Sequence, residues 1–112
     1  MSHAITVQGN FGSAEHLKEE LDSQGIKYFE KTSGSDQVLT FERRYNQYGN
    51  PMIINLTRPD KTTMDGDIAH VVRKWYKGAA ARHTRYQLMM QGIDIVSDTV
   101  ENGEIVLRVA VG

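Results

Sequence analysis

The chain has 112 residues and a mass of 12.6 kDa, and two independent cores would leave each half too small, so residues 1–112 read as a single domain. Its 39% hydrophobic and 24% charged residues are ordinary globular usage and exclude collagen-like, coiled-coil and wholly disordered chains. Thirteen Lys and Arg against fourteen Asp and Glu give a formal charge of −1, so no global field points to nucleic acid, and the absence of Cys removes disulfide scaffolds, thiolate metal sites and Cys nucleophiles. No apolar run approaches a membrane span and Met1-Ser2-His3 does not open like a signal peptide, which predicts a cytoplasmic protein with no membrane association.

In chain order, residues 4–8 alternate as a strand around Ile5 and Val7. Gly9-Asn10-Phe11-Gly12 is loop chemistry, and Ser13 is placed to cap a helix over 14–24, with Glu15 in its first turn. Ala14, Leu17 and Leu21 share one face of that helix, and Gly25 supplies a left-handed stop. Residues 26–31, with Tyr28 and Phe29, predict a second strand. Thr32-Ser33-Gly34-Ser35 is turn chemistry, and 37–43 a third strand of good strand formers. A polar loop over 45–51 leads to a fourth strand over 52–57, ended by Arg58-Pro59-Asp60.

The helical period is clearest over 64–91. Met64, Ile68, Val71, Val72, Trp75, Ala79, Tyr86, Met89 and Met90 fall on one broad arc, and His70, Arg73, Lys74, Lys77 and Arg85 on the other. Thr63 is the expected N-cap and Gly92 the stop, and Gly78 sits in phase at a cost of about 1 kcal/mol relative to Ala, or kinks the helix. A straight helix of this span is roughly 40 Å long. The tail predicts a hairpin of 93–100 and 105–111 around Asn102-Gly103, a type I′ signal, with Val100 facing Ile105 and Val96 facing Val109. Strand, helix, three strands, long helix and hairpin together predict an α+β fold, a two-layer ferredoxin-like sandwich with both helices on one face of an antiparallel sheet. The expected core is Ile5, Val7, Leu17, Leu21, Phe41, Ile54, Ile68, Val72, Trp75, Leu107 and Val109.

The start Met1-Ser2-His3, the helix ending in Gly25-Ile26, and the tail Gln91-Gly92-Ile93 followed by Asn102-Gly103-Glu104-Ile105-Val106-Leu107-Arg108-Val109 resemble the hypothetical chloroplast reading frame thirty-five family of plastids and cyanobacteria. The likeness covers about the first and last thirty residues, and the stretch 41–67 departs from the family. It implies a photosynthetic or phage-related origin and transfers no functional residue.

No catalytic residue, metal site or cofactor is predicted. No acidic residue lies between Asp67 and Asp94, whereas Arg73, Lys74, Lys77, Arg82 and Arg85 all do, so positive charge is segregated on the long helix. This face suits a nucleic acid, an acidic protein or a phosphate-bearing ligand; the plainer reading is a solvated helix back. Arg82 and His83 project toward the apolar arc. A buried cation needs a partner, so either they line a pocket with Tyr86, between sheet and helix, or they sit at a rim, Arg82 paired with an Asp of the hairpin. The leading expectation is a non-enzymatic binding or assembly module; the alternative is a small enzyme or ligand-binding protein using that pocket.

Other features have plain readings beside the chemical ones. The loop 9–13 lacks the spacing and Lys of a phosphate loop. Asp65-Gly66-Asp67 offers carboxylates to a cation but also suits a helix first turn. His3, His16, His70 and His83 show no metal-ligand spacing, and no nucleophile elbow accompanies any Ser. Residues 43–48 interleave cations and tyrosines, either to stack bases or to cover a sheet edge. Adjacent apolar pairs at 28–29, 38–39 and 53–54, with Val106, would leave an apolar outer sheet face, which predicts a homodimer packed sheet on sheet.

Overall fold

Two glycines in the left-handed region set where the helices stop. At Gly25 (φ 70°) the Ile26 N–H reaches the Leu21 carbonyl and the Gly25 N–H reaches Asp22; at Gly92 (φ 71°) Ile93 reaches Leu88 and Gly92 reaches Met89. Both are Schellman exits, which a residue with a Cβ would strain. A computed structural model describes residues 2–6, 11, 13–42 and 51–110. Its elements are β1 (Ser2–Thr6), α1 (Ala14–Ser23), β2 (Tyr28–Ser33), β3 (Asp36–Phe41), β4 (Ile53–Asn55), 3₁₀ turns at Pro59–Lys61 and Gly66–Ile68, α2 (Ala69–Met90), β5 (Ile95–Glu101) and β6 (Glu104–Ala110). The class is α+β, with a long helix and a terminal hairpin. The strands form two antiparallel sheets of three, β1-β6-β5 and β2-β3-β4, where the sequence predicts one. The chain divides into two compact units, Met1–Glu20 with Arg73–Gly112, and Leu21–Val72.

In the first unit, Asn102 (φ 53°) and Gly103 (φ 77°) make the predicted type I′ turn, so Glu101 pairs with Glu104 and Val100 with Ile105. The register then slips between Ile95 and Ser97, and Ile95, not Val96, faces Val109. This β-bulge corrects the expected pairing and leaves Val96 58% exposed. Ile5, Ile95, Ile105, Leu107 and Val109 pack with Ala80, Ala81 and Leu88 of α2 and with Ile93. Tyr86, Met89 and Met90, expected on the buried arc, are exposed. Alanines carry little weight in a hydrophobic pattern, yet Ala80 and Ala81 are buried in the cluster with the strands. Trp75 and Ala79 are buried as expected, and α2 runs unbroken through Gly78.

In the second unit, Ser33 pairs with Asp36 across the tight turn Gly34-Ser35, and Leu39 lies between Glu30 and Ile54. Leu21, Val38, Leu39, Phe41, Met52, Ile54 and Val72 are buried. β4 is shorter than predicted because the Asn55 side chain turns the chain: its Oδ1 accepts from the N–H groups of Thr57 and Arg58. Thr63 is not a helix cap. It exchanges backbone hydrogen bonds of 3.0 Å with Ile53, and α2 begins at Ala69 after the 3₁₀ turn. The expected outer apolar face is small, since Val38 and Val106 are buried within the chain and Ile53 half-buried, leaving Phe29 54% exposed. Val7, residues 9, 10, 12 and 43–48, and Val111 lie outside the described residues. Among the described residues, no helix is long and apolar enough to cross a membrane.

Leu107 is fully buried under α2, so Leu107→Ala is expected to lower unfolding stability by about 2–5 kcal/mol, and the exposed Val100→Ala by far less. Urea denaturation of both variants checks this.

Candidate functional site

The predicted basic face divides into two sets. Lys77 donates to the Gly103 carbonyl at 3.0 Å and lies 3.5 Å from a Glu104 carboxylate oxygen. Arg85 pairs with Asp98 of β5, and Arg82 donates through Nε to Glu20 of α1 at 2.7 Å. These three cations tie α2 to the hairpin and to the first helix. Arg73 and Lys74 are exposed, and among the described residues neither has an ion pair. The sequence shows the cations but not their acids, because Glu20 and Glu104 lie 62 and 27 positions away. Arg82 is indeed paired, but with an acid of α1 instead of an Asp of the hairpin.

The Glu20 carboxylate is largely shielded, its side chain 15% exposed. It rests where α2 has no side chain: a Cβ at Gly78 would come within 2.5 Å of the carboxylate. Gly78 and Arg82 are one turn apart, so one removes bulk and the other supplies charge at the same spot.

Beside this pair lies a cleft of about 370 Å³ lined by His16 and Glu19 of α1 and by Arg82, Arg85, Tyr86 and Met89 of α2. It runs between the helices, not between sheet and helix; that interior is filled by Ala80, Ala81, Leu88 and Leu107. Arg82 and Tyr86, expected at a pocket between sheet and helix, line this interhelical cleft instead. His83 stands behind, its Nδ1 3.1 Å from the Nδ1 of His16. The His16 ring is also stacked obliquely on Tyr86, 5.6 Å between centroids. Sequence reading missed His16, which has no signal of its own in α1. A second hollow, about 320 Å³, shares Arg85 and Met89 and continues along Gly92, Ile93, Asp94 and Ile95. Another hollow, about 470 Å³, follows the exit of α1, with Asp22 and Lys27 as the charged groups of its lining. Among the described residues, no group of three or more His, Asp or Glu is arranged to hold a metal, Asp65 and Asp67 included.

The most perturbed acid lies in the second unit. Asp36 is buried and accepts from Asn55 Nδ2 at 2.9 Å and from Arg58 Nε and Nη2 at 3.0 and 2.7 Å. The hydrogen bonds from Arg58 and then Asn55 hold its carboxyl below the usual carboxylate range, and Asp36 in turn raises Arg58. The same Asn55 shapes the turn after β4, so the cluster fastens that turn to the start of β3. It is structural and opens on no described cavity.

Two outcomes follow. Gly78→Ala is expected to stabilise an E20A background by about 1 kcal/mol through helix propensity, and to gain less or lose stability in the wild type, where the new methyl displaces Glu20 from Arg82. A double-mutant cycle in urea reads this difference. For Asp36, the folded-state pKa is depressed, so its stabilisation is present above the unfolded carboxylate range and is lost as pH falls through the folded value. The stability gap between wild type and D36N should therefore hold steady near neutrality and close below about pH 4. Denaturation across acid pH measures it.

Set against family models, curated proteins and solved structures, the chain matches none, and its function has to be argued from these sites.

Proposed function

We propose that the chain is a small, non-enzymatic cytoplasmic binding module that engages an acidic or phosphate-bearing partner through α2. The observation that carries this reading is the contrast within the basic face. Lys77, Arg82 and Arg85 hold acids of the chain itself, whereas Arg73 and Lys74 are adjacent, exposed and without an ion pair among the described residues. Lys77 lies one turn on from both and adds to the local field while holding Glu104. A contact of two cations suits an acidic protein segment or a single phosphate group better than a long nucleic-acid track, which takes many phosphate contacts. The photosynthetic or phage-related origin implied by the two ends of the chain belongs to the same proposal, and the reading of the helix does not depend on it.

A second reading, a small ligand-binding protein or enzyme, draws support from the cleft, where two guanidinium groups and an exposed phenol ring converge. The two readings separate by mutation. Anisotropy of a labelled acidic peptide and of a labelled DNA duplex, from about 50 to 200 mM salt, should show peptide binding that weakens with salt. R73E/K74E should abolish it, and Y86A, in the cleft, should not. Binding that is flat with salt, or unaffected by R73E/K74E, would reject the module as proposed.

A further inference from the structure

The approach of His16 and His83 has a chemistry that neither reading uses. Their Nδ1 atoms are 3.1 Å apart, the ring centroids 5.1 Å, and the planes 55° apart. Without a third species, one Nδ1 must carry a proton and the other must be bare, because two bare nitrogens repel and two N–H groups cannot bond. A shared cation imposes nearly the same separation. Tetrahedral zinc holds imidazole nitrogens at about 2.0–2.1 Å, which places two of them roughly 3.3 Å apart.

The setting also suits a cation. Both rings are half-buried, one from each helix, and the Tyr86 ring flanks His16. His16 forms part of the wall of the 370 Å³ cleft, and His83 is not among the residues that line it. Two guanidinium groups also face the cleft and oppose a cation, but Arg82 is held by Glu20 and Arg85 by Asp98, which offsets their charge locally.

We propose that His16 and His83 form a two-imidazole clamp, spanning α1 and α2, for a borderline divalent cation of the zinc, nickel and copper class. Imidazole favours these ions over calcium and magnesium, which take oxygen donors. Binding through both Nδ1 atoms requires both rings to carry their proton on Nε2. The ring that donates across the pair therefore moves its proton from Nδ1 to Nε2, and two neutral rings release none. Only two donors come from the chain; water or an incoming ligand supplies the rest.

The test is calorimetric titration of tag-free protein with zinc. The expected result is one saturable site, undisturbed by excess magnesium. H16N and H83N should each weaken it roughly tenfold or more, since even loss of an outer-sphere partner costs that much, while H70N, at an exposed histidine outside the pair, should leave it unchanged. Histidine-ring ¹⁵N spectra of the wild type make the test independent of variant folding: at one equivalent of zinc the Nδ1 signals of two histidines should shift together, both rings becoming Nε2-protonated. No saturable binding, binding that survives H83N, or a response from a single ring would overturn the proposal.

Discussion

A carboxylate seated on a glycine organises the interhelical site. Glu20 brings a negative charge to a place with little water, and such a charge is tolerated only when paired and hydrogen-bonded. Gly78 leaves the space and Arg82 the counter-charge. Once these are set, the next residue along α2, His83, falls beside His16, one turn back from Glu20, and Tyr86 follows against the same ring. The two contacts set Glu20 against Arg82 and His16 against His83. The cleft lies beside these contacts, and Arg82 is both a member of the ion pair and part of the cleft wall.

What the sequence revealed depended on whether the determinant was local. The stops at Gly25 and Gly92 and the turn at Asn102-Gly103 need only a residue that accepts positive φ, and each is where the pattern puts it. Leu17, Leu21, Phe41, Ile54, Val72, Trp75, Leu107 and Val109 were legible as core because periodicity marks the buried stripe. The pattern failed where side chains rewrote the backbone. Asn55 ended β4 early, Thr63 joined a bridge to Ile53, and the bulge at Val96 moved one strand by a residue. It failed again where small residues did the packing, at Ala80 and Ala81.

The site was half legible for the same reason. Arg82, His83 and Tyr86 stood out because polar groups on an apolar arc violate the helical pattern. Their partners did not stand out, since Glu20 and His16 lie off the apolar stripe of a short amphipathic helix, where Glu and His are unremarkable. Segregated charge suits either a partner-binding face or a solvated helix back, yet pairing across elements uses three of its five cations. A stripe of like charge in sequence gives the number of cations but not the number left for solvent.

The bulge in β5 has a consequence beyond its register. β5 lies at the edge of its sheet among the described strands, and an edge presents a row of backbone donors and acceptors that another chain can extend. An extra residue at Val96 breaks the regular spacing of that row and twists the strand. A neighbouring copy offered the same edge would meet a mismatched ladder. The irregularity that defeats simple counting from the hairpin thus works against open-ended strand addition and the aggregation it leads to.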